Sequence, residues 1–245
     1  MLRSGWGKPR SGQRLSDHVS VGVLARMYPP GLIDQVLAEC GRVEERCRLL
    51  LARVMVYYAM ALALFSEGSY GEVMRNLVEG LDWQSGWQRP WRVPSQVAIT
   101  KARTRLGSVP LRALFERVAR PLATAESEGC FLAGLRLMAI DGSTLDLADT
   151  PAIEAQFGRP GSARGECRAA SPQLCVVGLA ECGTHAITSV AVGPITRAEG
   201  SLAWELWDAL GPGMLLLADR GFWDFRPSRR PRRAVPSCSG VRVRA

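Results

Sequence analysis

Nine residues constrain the fold of this chain more than any others: Met214-Leu215-Leu216-Leu217-Ala218-Asp219-Arg220-Gly221-Phe222. An apolar run without alternation passes straight into a carboxylate and then a glycine. A run of that kind suits a strand buried on both faces of a parallel sheet. The same grammar occurs earlier, at Leu137-Met138-Ala139-Ile140-Asp141-Gly142. Two strands thus hand an aspartate to one sheet edge, the place where open α/β sheets keep their ligands. Paired aspartates are hard oxygen donors that suit Mg2+ or Mn2+. Two such ions about 4 Å apart support in-line phosphoryl transfer. The residues alone leave a second reading open, with Asp141-Gly142 as a turn and Asp219 as a helix cap.

The chain has 245 residues, enough for one large domain or two small ones, and 47% of them are hydrophobic. Its longest apolar run, Val54 to Phe65, has 12 residues. A membrane span needs about 18 or more, so this run reads as a buried core helix and no membrane partner is expected. The net charge is +8, but its distribution matters more. Residues 1–14 carry four basic residues, residues 226–245 carry seven arginines, and neither end has an acid, which leaves −3 for residues 15–225. Basic ends either bind nucleic acid without specificity or have no role. The seven cysteines include no CxxC. With no secretion signal at the start, a reduced, cytoplasmic setting is expected. Cys175, Cys182 and His185 suggest zinc, but within one strand over 173–182 the two cysteines face opposite sides of the sheet.

Residues 1–14 read as a flexible leader and 15–125 as a helical domain. A helix follows Pro29-Pro30 and stops at Gly41, a long one spans about Val43–Ser66, and a short one runs from Tyr70 to Glu79 with Gly80 as its stop. Residues 81–94 read as a loop whose Trp83, Trp87 and Trp91 are packing anchors or base-stacking platforms. Ser95 caps the next helix, with Ile99, Ala102 and Leu106 on one face and Lys101, Arg103 and Arg105 largely on the other. Such a helix is either the reading helix of a helix-turn-helix-like unit or a solvated basic face. Leu111, Leu114, Phe115 and Val118 predict another amphipathic helix.

Within Pro121 to Gly134, residues 126–134 read as a linker, and the periodicity then changes. Strands are expected over 135–147, 173–182 and 185–192, the last two joined at Gly183-Thr184. A helix over 199–210 precedes the strand at 214–218. The order predicts a mixed sheet over 135–225 and an α+β or α/β class. Residues 226–245 are Arg-, Pro- and Ser-rich and bury too little to order themselves.

Several segments resemble a known family. Asp141-Gly142-Ser143-Thr144-Leu145-Asp146-Leu147-Ala148-Asp149-Thr150 resembles the first-aspartate motif of DDE transposases of the bacterial insertion-element-4 group, and Leu215–Phe222 resembles its second. Glu181–Ala186, Ala191–Pro194, Ser20–Leu24, Val56-Tyr57-Tyr58 and Pro110–Glu116 are similar to family text, so the resemblance covers about residues 15–225. It implies an RNase H-like catalytic domain behind a helical N-terminal domain. It also implies a divalent-metal site, cleavage at transposon inverted repeats and strand transfer into target DNA. Asp141 and Asp219 match the first two catalytic and metal-binding acids, while Asp146 and Asp149 are expected to be structural or exposed. Arg220 is a phosphate contact or a structural ion pair.

The family's third acid is a glutamate in a tyrosine–arginine–glutamate pattern on a later helix. After Asp219 this sequence has no Glu or Tyr, and its only acid is Asp224. The sequence-based expectation is therefore an incomplete catalytic domain: a truncated, frameshifted and catalytically inactive copy whose tail is out of frame. The other expectation is a DNA-binding or dimerising remnant, as a homodimer or with full-length transposase, that interferes with the intact enzyme.

Overall fold

The computed structural model describes residues 21–44, 50–65, 68–85, 94–162 and 165–222. The chain forms two compact units that divide between Arg117 and Val118.

The first unit is helical. Its elements are α1 (Val21–Met27), α2 (Pro30–Glu39), α3 (Ala52–Leu64), α4 (Tyr70–Ser85), α5 (Gln96–Leu106) and α6 (Val109–Val118). The apolar run at 54–65 lies in α3 and its C-cap, and Met55, Val56, Tyr57, Tyr58 and Ala61 are all buried. A helix apolar on nearly every side belongs in a core. Here α2, α4 and α5 surround it, contributing Ile33 and Val36, Val73 and Met74, and Ile99 and Ala102. Each buried tyrosine keeps its hydroxyl satisfied, as buried phenols require. Tyr57 Oη donates to the Tyr28 carbonyl at 2.6 Å and Tyr58 Oη to the Tyr70 carbonyl at 3.1 Å.

Two boundaries differ from expectation. Gly80 does not stop α4, which continues to Ser85 and takes in Trp83; a single glycine costs a helix only about 1 kcal/mol. The long helix expected over about Val43–Ser66 begins only at Ala52, since Val43, Glu44, Leu50 and Leu51 are not helical; residues 45–49 lie outside the described set, as do Trp87 and Trp91. Among the described residues, no helix is long and apolar enough to cross a membrane.

The second unit is α+β. In chain order it holds β1 (Phe131–Leu132), β2 (Leu135–Asp146), α7 (Pro151–Phe157), β3 (Gly161–Ser162), β4 (Gly165–Arg168), β5 (Gln173–Glu181), β6 (Ile187–Pro194), α8 (Glu199–Ala203) and β7 (Met214–Ala218). β2, β5 and β6 form an antiparallel meander, β1 pairs with the start of β2, and β7 joins β2 in parallel. The sheet is mixed, as its element order predicts. One face carries Met138, Ile140, Cys175, Val177, Leu179 and Ala191, and α8 with the following 3-10 turn covers it through Leu202, Ala203 and Leu206. The helix expected over 199–210 is thus split into an α turn and a 3-10 turn.

β7 departs from its expected environment. Among the described residues it pairs with β2 alone, and only Leu215 of its five residues is buried. An apolar run is consistent with double-sided burial but does not require it.

The segment expected as a linker is part of this unit. Its 131–132 stretch is β1, and the preceding loop is pinned by Glu181, the one buried charged residue among those described. Glu181 Oε2 accepts from the Leu122 amide at 2.9 Å, the Ala123 amide at 2.8 Å and Thr184 Oγ1 at 2.6 Å, while Oε1 pairs with Arg136. Burial alone would raise this carboxyl, but the hydrogen bonds from Thr184, the two amides and Arg136 together hold it below its ordinary value of 4.5.

Candidate functional site

β2 and β7 run parallel, and their register ends on the pair Ile140–Ala218. The next residue of each strand is Asp141 and Asp219. Adjacent strands lie about 4.8 Å apart, so Asp219 leaves the end of β7 beside Asp141, which lies within β2 and stays paired with Gly178 of β5. Strand alternation also places them on one face. Met138 and Ile140 occupy the face covered by α8, so Asp141 takes the opposite one. Asp219 continues the parity of Leu217, the partner of Ala139 on that same opposite face.

Both carboxylates are exposed, and each is steadied by one nearby backbone amide. Gly142 N–H donates to Asp141 Oδ1 at 2.8 Å, and Gly221 N–H donates to Asp219 Oδ1 at 2.8 Å. Oδ2 of each has no hydrogen bond among the described residues. Two anchored carboxylates that keep lone pairs on one face are a donor set of the kind hard divalent cations take. The set is small: among the described residues no group of three or more His, Cys, Asp or Glu could hold a metal ion. Cys175 and Cys182 belong to no such group, and burial pushes both thiols up.

A third acid approaches the same strand from the other side. A Cβ on Gly142 would lie 2.6 Å from the carboxyl carbon of Glu199, at the start of α8. Sequence reasoning passed over Glu199, which lies 57 positions from Gly142. The available signal was Gly142 itself, because a glycine inside a strand marks a close approach. Alternation sets Glu199 against the face opposite Asp141.

Asp146 and Asp149 serve structure. Asp146 Oδ1 accepts from Gln173 Nε2 at 2.8 Å and Ser171 Oγ at 3.1 Å, and these two bonds hold its carboxyl low. Asp149 pairs with Arg159. Arg159 also reaches Glu154 and the carbonyls of Ala169 and Ala170, which clamps the excursion between β2 and β5.

In the helical unit the three candidate DNA contacts divide. Arg105 donates to Glu44 Oε1 at 3.1 Å and to the Leu50 carbonyl at 2.8 Å. The Arg103 guanidinium lies 5.3 Å from the centre of the Tyr70 ring. Lys101 is exposed on the outer side of α5. The side chain of Arg220 lies outside the described set; its backbone opens a 3-10 turn, Arg220–Phe222.

Residues 18–116 match the sequence model of a family described as the insertion element 4 transposase N-terminal domain. Two Escherichia coli (strain K12) proteins are similar. Transposase InsG for insertion sequence element IS4 is 35% identical over 196 residues, covering 79% of this chain and 42% of that protein. A provisionally named transposase, InsZ, is 25% identical over 152 residues, covering 62% of this chain and 49% of that protein. The chain therefore spans less than half the length of either relative. No solved structure matches it. Residues 18–116 thus carry the N-terminal domain of the insertion element 4 transposases, and the chain is similar to InsG over most of its own length.

Proposed function

We propose that this chain carries the DNA-end recognition part and two of the catalytic acids of an insertion-sequence transposase. The observation that supports the reading is the β2–β7 register, whose last pair, Ile140–Ala218, immediately precedes Asp141 and Asp219. The sheet order supports an RNase H-like domain: an antiparallel meander with a fourth strand set parallel against the first. Asp141 and Asp219 would hold Mg2+ or Mn2+, with the Gly142 and Gly221 amides fixing the two carboxylates. Such an ion supplies Lewis-acid polarisation of a phosphate oxygen. The residues themselves hold the cation at the sheet edge and fix where it sits.

Two carboxylates hold such an ion loosely, and loose geometry lowers rate steeply. A second reading follows from the absence of a three-acid group among the described residues. The chain by itself binds transposon-end DNA without completing strand transfer, and it competes with or joins full-length transposase. Mn2+ titration followed by electron paramagnetic resonance tests the site. The expected result is weak binding by the chain, lost in the Asp141→Ala, Asp219→Ala double variant. Equal binding by both proteins would remove the site from consideration. Incubation with a labelled transposon-end duplex and Mg2+ separates the readings: strand-transfer product would overturn the second.

A further inference from the structure

α5 presents a face that core packing does not use. Ile99, Ala102 and Leu106 point into the helical unit, and Gln96, Val97, Thr100, Lys101, Arg103 and Thr104 are exposed. Helical spacing arranges the outer residues in two stripes, Gln96-Thr100-Thr104 and Val97-Lys101. Between them they carry an amide, two hydroxyls, an ammonium and one isopropyl group, with no acid. Val97 is 63% exposed at the first turn, where packing gives it no reason to be apolar.

The two arginines of this helix take a supporting role. Arg105 is tied to Glu44 and the Leu50 carbonyl, and Arg103 covers Tyr70. Ser95 Oγ accepts from the Ala98 amide at 3.3 Å and fixes the start of the helix. α5 is therefore held rigidly by its inner side and its ends, and its outer side faces outward.

Charge selects the occupant. α5 itself carries Lys101, Arg103 and Arg105 and no acid, and of these Lys101 and Arg103 are exposed. A surface of that sign suits a polyanion. The exposed groups suit base edges: a glutamine amide pairs with adenine, a lysine with guanine, threonine hydroxyls with either, and an apolar branch with the thymine methyl. Thr104 Oγ1 donates to the Thr100 carbonyl at 3.1 Å, which leaves its oxygen as an acceptor. Eleven residues of helix span about 16 Å, and the major groove, about 12 Å wide, admits a helix.

We propose that the outer face of α5, through Gln96, Val97, Thr100 and Lys101, reads base edges in the major groove of duplex DNA, with Arg103 and Arg105 positioning the helix. This deepens the DNA-end reading above and rests on it.

The test uses the full chain and a duplex library with a randomised core, selected at fixed salt. Wild type is expected to recover one sequence class. Gln96→Ala and Thr100→Ala are expected to relax preference at one or two base positions by roughly 5- to 150-fold and to leave the salt dependence unchanged. Lys101→Ala is expected to relax preference at one guanine position over the same range. All three positions are exposed, so matching thermal melts will show that folding is intact. If wild type selects a class and all three variants select it with equal strength, the α5 assignment is overturned and the DNA-end reading stands. If wild type selects nothing, both are overturned.

Discussion

Two sets of carboxylates on one sheet are treated in opposite ways. Glu181, at the end of β5, is fully buried and receives two amides, a hydroxyl and a guanidinium. Asp141 and Asp219, at the ends of the β2–β7 pairing, are exposed and receive one amide each. A buried charge must be paired and hydrogen-bonded throughout, so Glu181 has no capacity left for a ligand. An exposed carboxylate held at one oxygen is oriented and still able to coordinate. Structural acids and acids available for chemistry are told apart here by how many of their lone pairs the protein itself consumes.

The sharpest way to break this contrast is Glu181→Ala. It strands Arg136 and two amides, so a loss of about 3–5 kcal/mol is expected, read from urea denaturation of the chain. A loss under about 1 kcal/mol would show that the loop at 121–124 is not held as described. A smaller effect is pH-dependent. Glu181 has a folded pKa below its unfolded value of 4.5. Its contribution is therefore complete above about pH 4.5 and is lost as pH falls through the folded value. The urea midpoints of wild type and Glu181→Gln should converge on acidification below that point, and a constant gap would contradict the assignment. The smallest stability effect belongs to the other set. Asp141→Asn and Asp219→Asn should stay within about 0.5 kcal/mol of wild type, as surface changes do, while Mn2+ binding is lost.

The sequence carried most of this architecture wherever one local signal decided the outcome. β2, β5 and β7 follow from apolar runs and alternation, and α5 from Ser95, the Ile99-Ala102-Leu106 stripe and Gly107. The carboxylate pair was legible because each apolar run is followed by an aspartate and parallel neighbours align, although β2 continues past Asp141 to Asp146. Elements held by distant partners were not legible. α7 and the β3–β4 hairpin lack periodicity and depend on Arg159 reaching across to residues 149, 154, 169 and 170. The roles of Arg103 and Arg105 depend on Tyr70, Glu44 and the Leu50 carbonyl, which no local pattern announces. Glu199 meets Gly142 only because α8 folds back over the sheet.

The position of β7 carries a consequence for handling the protein. Its amides and carbonyls on the side away from β2 have no strand partner among the described residues, and its residues are Met214 to Ala218, without a charge or proline. β6, the opposite border, closes on Pro194 and pairs through an irregular register. Proline and irregularity discourage strand addition, whereas a bare apolar border invites it. Concentrated preparations should accordingly self-associate through Met214–Ala218, and Ala218→Lys, at the exposed end of the strand, should keep them dispersed.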